Sequence, residues 1–247
     1  MNVAEAEERI GALSHRQRHF LCEKLTEISY SRYLREGDSA IDCGANIGHH
    51  TRLLSKVVGP GGRVHAFEPN PTLFKGLLAL GANIRLWPFA AGDELQICRL
   101  HIPEGLIGWA SLEDIRTLLP DRTFRLVTTA QVRIDDLVEL QGETIRFVKI
   151  DVERSELRVL RGMQALLQKD GPVVIFEGLN PAIREFLAGI GYEIRDLLGR
   201  PVGGGRPIMA NVVAVPAKNA DALLGLAMPQ ARDLGEAFDV TMATVKE

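Results

Sequence analysis

A glycine turn between a predicted strand and a predicted helix carries the clearest chemical signal in the sequence. Asp42 ends a short apolar run, and Gly44 and Gly48 follow it with Asn46 between them. Such a turn lets a ligand approach the backbone closely and points free N–H groups at a carboxylate or a phosphate. The spacing is Gly-x-x-x-Gly, whereas dinucleotide binding requires Gly-x-Gly-x-x-Gly where the pyrophosphate meets the backbone.

The turn therefore favours a ligand without a pyrophosphate, and S-adenosylmethionine, which offers an amino-acid end, a ribose and an adenine, is such a ligand. The backbone at Gly44 and Ala45 would receive the amino-acid end, and Asp42 would orient the ammonium group. Asn46 tolerates a left-handed conformation better than most residues. An ordinary tight turn of an α/β protein is the alternative that this motif alone leaves open.

A second acid lies at the end of the next predicted strand. Glu68 follows Gly48 by 20 residues, and a carboxylate at that position can accept hydrogen bonds from both hydroxyls of a ribose. The competing interpretation is a carboxylate at a helix N-terminus, which the adjacent Pro69 favours. One predicted strand further on, the small side chain of Ala90 leaves room for an adenine ring.

These residues belong to an alternation of predicted strands and helices. Apolar runs with the length of buried strands lie at 39–44, 63–68, 84–91, 146–151 and 173–177. The alternation is typical of a parallel sheet covered by helices on both faces. The segments 192–198 and 211–215 predict an antiparallel closing pair around the glycines at 203–205. The expected fold is a doubly wound α/β fold.

Acids recur at the strand ends of this sheet. The four strand-end acids are Asp42, Glu68, Asp151 and Glu177. Because ligands of open parallel sheets lie beyond the carboxyl ends of the strands, these acids would line one crevice. Methyl transfer to a hydroxyl needs alignment with the sulfonium and removal of the hydroxyl proton, which a carboxylate can assist. We predict Asp151, Glu153 and Glu177 as catalytic residues, with Asp151 first.

Two other interpretations of these acids remain open. Asp151 could cap the helix that follows it, with Glu153 and Glu156 favouring the positive end of that helix. Asp135 and Asp136 could join Asp151 in chelating a divalent cation through oxygen ligands. A metal is the less favoured interpretation, and we assign no metal ligand.

The composition limits the classes of partner that we expect this protein to bind. A net charge of −3 and a pI of about 6.1 supply no global attraction to nucleic acid or to an anionic membrane. The three widely spaced cysteines form a poor disulfide framework. The N-terminus is acidic, unlike a signal peptide, and no apolar stretch reaches the ~18 residues of a membrane span. We expect a cytoplasmic protein that acts on a small molecule and contains no membrane span.

The chain is predicted to contain one main domain with two appendages. Amphipathic spacing at 1–36 predicts a helical cap, and 37–216 contains the α/β domain, with an irregular insertion at about 93–138. The Ala- and Leu-rich tail at 217–247 is either helical or loosely packed. The cap and the tail are the segments through which the chain could form a homo-oligomer.

The chain resembles the FkbM family of S-adenosylmethionine-dependent methyltransferases across about 38–216. The motifs are IDCGANIG (41–48), VHAFEPNP (64–71), VRIDDL (132–137), VKIDVE (148–153) with Glu156, LRG (160–162) and NVVA (211–214). The resemblance implies the Rossmann-like class I methyltransferase fold, with a mostly parallel seven-stranded sheet. It also implies an adenosylmethionine site at 42–48 and Glu68, and O-methylation of a hydroxyl on a sugar or natural product.

One position departs from the family pattern. The family usually has glycine where this chain has Arg154. If that glycine permits positive φ or close substrate approach, the arginine would narrow the site or change its charge preference. Arg154 and the unmatched tail keep open a catalytically silent scaffold that binds cofactor. The other alternative is a nucleotide-dependent oxidoreductase or epimerase of the NAD type, which the missing Gly-x-Gly-x-x-Gly pattern disfavours.

Overall fold

The computed structural model describes residues 1–203 and 207–245. It divides into two compact units, Arg35–Pro172 and a second unit built from Met1–Leu34 with Val173–Glu247. Of the glycines predicted at the hairpin tip, Gly204 and Gly205 lie outside the described residues.

The secondary structure of the described residues alternates between strands and helices. In chain order the strands are β1 (Ser39–Cys43), β2 (Arg63–Phe67), β3 (Ile84–Trp87), β4 (Ala90–Ala91), β5 (Gln96–Pro103), β6 (Phe124–Val132), β7 (Ile145–Ile150), β8 (Val173–Glu177), β9 (Tyr192–Asp196) and β10 (Asn211–Pro216). The α-helices are α1 (Val3–Ala12), α2 (His15–Tyr33), α3 (His49–Val58), α4 (Phe74–Leu78), α5 (Val138–Gln141), α6 (Glu156–Gly162), α7 (Gln164–Asp170), α8 (Pro181–Gly189), α9 (Ala220–Ala227) and α10 (Ala231–Thr244). Short 3₁₀ turns cover Ile107–Trp109, Ile134–Asp136 and Ala217–Asn219.

Four parallel strands form the centre of the unit Arg35–Pro172, in the order β3-β2-β1-β7. Strand β1 is buried along most of its length, which explains its continuous apolar sequence. Gly48, whose φ of +84° suits glycine, is the N-cap of helix α3, and Gly59 is its C-cap. Its buried residues Thr51, Leu54 and Val58 recur at helical spacing, so one face covers the core.

A second, smaller sheet forms in the region predicted as an irregular insertion. Its order is β4-β6-β5, with β5 and β6 antiparallel and β4 parallel to β6. Helix α6 packs closely beside the end of β4, because a Cβ atom on Gly162 would lie 1.7 Å from the carbonyl oxygen of Gly92. The glycine of the LRG motif is therefore required by this close contact.

The other unit contains an antiparallel three-strand arrangement in which β10 lies between β8 and β9. Helices α1 and α2 begin with capping boxes at Asn2 and Ser14. The segment after Pro216 forms α9 and α10, and an ion pair of 3.1 Å joins Arg32 of α2 to Asp233 of α10. The side chain of Cys22 accepts a hydrogen bond from the backbone N–H of Asn211 at the start of β10.

These seven strands are mostly parallel: the four of the unit Arg35–Pro172 run in one direction, and in the other unit only β10 runs antiparallel to its neighbours β8 and β9. The α/β fold class predicted from the sequence is thereby confirmed. No helix in the ranges 1–203 and 207–245 combines the length and the apolar character needed to cross a bilayer.

The buried side chain of His65 on β2 forms hydrogen bonds with Trp87 on β3 and with Glu143, which precedes β7. The Nδ1 atom of His65 accepts the indole N–H of Trp87 at 3.1 Å, so Nδ1 carries no proton. Its Nε2–H then donates to the carboxylate of Glu143 at 3.0 Å. Burial lowers the pKa of His65 despite this bond to Glu143, and the fold therefore holds the imidazole neutral.

This arrangement predicts a pH-dependent stability. Below pH 6.5 the unfolded chain protonates His65 while the folded chain does not. The free energy of unfolding should therefore fall as the pH drops from 6.5 toward the lowered pKa, by at most about 1.4 kcal/mol per pH unit for this one group. Urea unfolding at pH 7.5, 6.5 and 5.5 should show a shallower loss for His65→Gln than for the wild type. His19→Gln, at an exposed position, is the control, and equal slopes in all three proteins would contradict the prediction.

Candidate functional site

A cavity that is partly open to solvent lies at the carboxyl ends of β1, β2 and β7. The lining residues all belong to the unit Arg35–Pro172 and are Gly44, Asn46, Phe67, Glu68, Pro69, Ala90, Ala91, Leu100, Ile107, Gly108, Ala110, Leu112, Asp151, Val152, Glu153 and Ser155. Six of the residues predicted from the sequence are among them: Gly44, Asn46, Glu68, Ala90, Asp151 and Glu153.

The turn after β1 brings two strand ends into backbone contact. Gly44 has a φ of +83°, and a Cβ atom there would lie 1.8 Å from the carbonyl oxygen of Asp151. Asn46 also has positive φ, at 49°. Only glycine fits at position 44, so the first glycine of the motif is fixed by the approach of the β7 end as well as by its own backbone angle.

The N–H groups of this turn are not free, contrary to the sequence prediction. Gly44 and Ala45 both donate to the carbonyl oxygen of Phe67 at 3.0 Å, and Gly48 donates to Ala45. The prediction was wrong because hydrogen bonding between β1 and β2 continues past the end of β1. Ala45 and Gly48 shape the turn and are not among the residues that line the cavity.

Glu68 is buried at the edge of the cavity and is held from two sides. Its Oε2 atom accepts the N–H of Asn46 and its Oε1 atom accepts the N–H of Asn70, each at 2.8 Å. Burial raises the pKa of this carboxyl group, the two backbone bonds oppose the rise, and the charge of Asp42 adds to it. Each oxygen keeps a second lone pair, with which it can accept a hydroxyl of a ligand.

Three buried polar atoms near the cavity have no hydrogen-bond partner among the described residues. They are Asp42 Oδ1, Asn46 Oδ1 and Ser155 Oγ. Asp42 is fully buried behind the glycine turn, where its other oxygen accepts the hydroxyl of Thr51 at 2.6 Å. Asn46 and Ser155 line the cavity itself. Buried polar groups are normally paired, so the unpartnered atoms of Asn46 and Ser155 are candidates for contact with a ligand in the cavity.

Asp151 is oriented by a buried lysine. Lys149 Nζ lies 3.0 Å from Asp151 Oδ2, and the lysine side chain is only 4% exposed whereas that of the aspartate is 35% exposed. The backbone N–H of Asp151 donates to the carbonyl of Cys43 at 2.9 Å. Asp151 thus presents a fixed carboxylate at the cavity, and Lys149 compensates its charge.

The turn that follows β7 is strained. Glu153 and Arg154 have φ angles of +52° and +80°, in the left-handed region that costs a residue with a Cβ atom free energy. At position 154, where the family usually has glycine, the backbone therefore does adopt a positive φ. Arg154 is exposed and does not line the cavity, whereas Glu153 does. The backbone carbonyl of Glu153 accepts a hydrogen bond from the hydroxyl of Ser111 at 2.7 Å.

Two predicted candidates have other surroundings. Glu177 ends β8 in the unit that contains Val173–Glu247, where it pairs in register with Asn211 and lines a groove with His15 and His19. Asp135 accepts the backbone N–H groups of Ala165 and Leu166, at 2.9 and 3.0 Å, at the start of α7.

Asp135 is thus engaged as a helix cap. Across the part of the chain that the structure describes, no group of three or more His, Cys, Asp and Glu side chains could hold a metal ion.

Sequence reasoning missed the part of the site that comes from outside the parallel strands. The small sheet and the segment between its strands β5 and β6 supply an apolar wall made of Leu100, Ile107, Gly108, Ala110 and Leu112. Their sequence pattern is irregular and gave no signal. Ser155 follows Asp151 closely, but a serine before a helix ordinarily indicates only a cap.

The fold and the cavity define an α/β protein with an open cavity at the carboxyl edge of parallel strands. Residues 42–198 match the family model described as the methyltransferase FkbM domain. The match covers more than half of the chain, so the chain belongs to this family. The resemblance inferred from the sequence motifs is confirmed.

Similar proteins include one relative with an assigned name and several solved structures. The chain is 34% identical over 175 residues to the 31-O-demethyl-FK506 methyltransferase FkbM of Streptomyces tacrolimicus. This alignment covers 58% of the chain and 66% of the relative, which is just under two thirds of the relative's length.

Two solved structures have lower similarity. The methyltransferase FkbM of Methylobacillus flagellatus KT is 15% identical, with a TM-score of 0.46 and coverage of 86% of this chain and 58% of that one. The fibrillarin of Aeropyrum pernix, solved with natively bound S-adenosyl-L-methionine, is 15% identical, with a TM-score of 0.42 and coverage of 74% and 67%.

The strain at Arg154 can be measured directly. Arg154→Gly should raise the free energy of unfolding by about 0.5–1 kcal/mol relative to Arg154→Ala, because both remove the side chain but only glycine relieves the positive φ. Urea unfolding of the wild type and both variants checks this. Equal stability of the glycine and alanine variants would show that the backbone at this position is unstrained.

Proposed function

We propose that this protein transfers a methyl group from S-adenosylmethionine to a hydroxyl of a small natural-product or sugar molecule. The observation that carries the proposal is the charge of the cavity. All the charged residues that line it are acids, Glu68, Asp151 and Glu153. Lys149 offsets the charge of Asp151, but the lining keeps an excess of acids, which attracts a sulfonium and an ammonium and repels the two negative charges of a pyrophosphate.

The same charge pattern disfavours the oxidoreductase alternative. A dinucleotide would place its pyrophosphate near the glycine turn, where the N–H groups of Gly44 and Ala45 are already bonded to Phe67. The amino-acid end of S-adenosylmethionine, which the sequence also assigned to these groups, would be held instead through its ammonium group, by the unpartnered oxygen of Asn46. Membership of a methyltransferase family supports the same choice.

The residues present fit S-adenosylmethionine. Glu68 has lone pairs that can accept hydrogen bonds from two ribose hydroxyls, and the unpartnered oxygen of Asn46 can accept a hydrogen bond from the ammonium group. Small or apolar side chains that can flank a flat heterocycle are those of Phe67, Pro69, Ala90, Ala91 and Leu100. When bound, the cofactor supplies an electrophilic methyl group on its sulfonium.

Asp151 is the residue we assign to the acceptor hydroxyl. Its carboxylate would accept the proton that the hydroxyl releases as the new oxygen–carbon bond forms. The ion pair with Lys149 at 3.0 Å fixes the direction of this carboxylate before the acceptor arrives. Glu153 adds negative charge beside it. The apolar wall at Ile107 and Leu112 would contact the non-reacting part of the acceptor.

Cofactor binding tests the first half of the proposal. Glu68→Gln should weaken binding of S-adenosylhomocysteine by roughly 1–3 kcal/mol in calorimetric titration, because it removes a charged acceptor from buried hydroxyls.

The pKa of Glu68 is raised, so wild-type affinity should fall at acidic pH as this carboxylate protonates. The variant has no such group and should show a weaker pH dependence. Glu8→Gln, at an exposed position of α1, is the control, and unchanged affinity of the Glu68 variant would refute the ribose role.

Transfer to an acceptor tests the second half. The wild type, supplied with labelled S-adenosylmethionine, should methylate hydroxylated small molecules, and 31-O-demethyl-FK506 is the first to try because a relative bears that name. Asp151→Asn should lower turnover by roughly 10²-fold or more, the usual effect of losing a general base, while S-adenosylhomocysteine still binds. Equal turnover in both proteins would overturn the role of Asp151. Cofactor binding with no transfer to any acceptor would favour the silent scaffold.

A further inference from the structure

Ser155 occupies the N-cap position of α6 without capping the helix. A serine at this position normally accepts a backbone N–H from the first turn, as Ser14 does at α2 by accepting the N–H of Gln17 at 3.3 Å. Ser155 makes no such bond, and its φ and ψ of −110° and 15° differ from the extended backbone of Ser14. Its hydroxyl therefore does not cap the helix that it precedes.

The hydroxyl of Ser155 is instead buried at the cavity. The residue is 2% exposed and lines the cavity, and its Oγ atom has no hydrogen-bond partner among the described residues. A buried hydroxyl without a partner destabilises the protein. A ligand that supplies the missing partner would remove that cost, so the position of Ser155 suits binding better than it suits folding.

The backbone holds this hydroxyl in place. The two preceding residues, Glu153 and Arg154, have positive φ. The carbonyl of Glu153 accepts the hydroxyl of Ser111, and the N–H of Arg154 donates to the carboxylate of Glu156 at 3.1 Å. Because both of these residues are hydrogen-bonded, the main chain that leads to Ser155 is already ordered, which lowers the cost of ordering it when a ligand binds.

The chemistry around Ser155 suits a nucleobase. Ser155 carries the one hydroxyl among the residues that line the cavity, and the apolar Ala90, Ala91 and Leu100 line the same cavity. The edge of adenine places an amino donor next to ring nitrogen acceptors. A hydroxyl can both donate and accept, whereas an ionised carboxylate only accepts. We infer that the Ser155 hydroxyl hydrogen-bonds the adenine edge of the bound adenosyl ligand, an inference that rests on the function proposed above.

Calorimetric titration of the full chain with two ligands tests this role. S-adenosylhomocysteine contains the amino-acid end, and 5′-methylthioadenosine lacks it, but both contain adenine and ribose. Ser155→Ala should bind both ligands about 3- to 10-fold more weakly than the wild type, which is the usual effect of one neutral hydrogen bond. The two ligands should lose affinity by the same factor.

Urea unfolding of the ligand-free proteins separates binding from structure. Ser155→Ala should keep or raise the wild-type unfolding midpoint, because it removes an unpartnered buried hydroxyl. Ser14→Ala is the matched control: it removes a serine that does cap a helix, so it should lower the midpoint and leave the affinity unchanged. A lowered midpoint for Ser155→Ala with unchanged affinity would assign a purely structural role and overturn the inference.

The remaining outcomes are also decisive. Equal affinities of the wild type and Ser155→Ala for both ligands would overturn the inference while leaving the proposed cofactor intact. A loss confined to S-adenosylhomocysteine would place the hydroxyl at the amino-acid end and overturn the nucleobase assignment. Failure of the wild type to bind either ligand would overturn the proposed function, and this inference with it.

Discussion

The site depends on the backbone contact between Gly44 and the carbonyl group of Asp151. No side chain fits between them, since a Cβ atom would lie 1.8 Å from that oxygen. The contact brings together the turn after β1, which bonds Glu68 through Asn46, and the turn after β7, which carries Asp151 and Ser155. Each turn alone is a common feature of α/β proteins, but held together they form two walls of one cavity.

The polar groups of these turns are arranged before any ligand arrives. Backbone N–H groups hold Glu68, Lys149 holds Asp151, and Ser111 holds the strained residues beside it. Such preorganisation moves the cost of ordering from the binding step to folding. The strain at Arg154 fits this pattern, because unfavourable backbone angles persist where surrounding bonds impose them.

The sequence predicted the parts of the structure that follow from regular patterns. Alternating apolar runs indicated the parallel strands, and the spacing from Gly48 to Glu68 located the second acid because strand and helix lengths vary little in such units. The prediction of free N–H groups at Gly44 was wrong, because these groups donate hydrogen bonds to the neighbouring strand. Ser155 was missed because local sequence cannot show that a serine does not cap its helix. The apolar wall comes from an irregular segment whose tertiary contacts no periodicity reveals.

The apolar wall is supplied by a sheet and a turn of their own, outside the four parallel strands. Side chains such as Ile107 and Leu112 contribute to the shape of the cavity without packing inside the parallel sheet, and Ile107 is partly exposed. Replacing them changes the space offered to a ligand and costs the core little. This division gives the scaffold evolutionary freedom: selection can alter which molecules fit while the half built on Gly44 stays under strict stereochemical constraint.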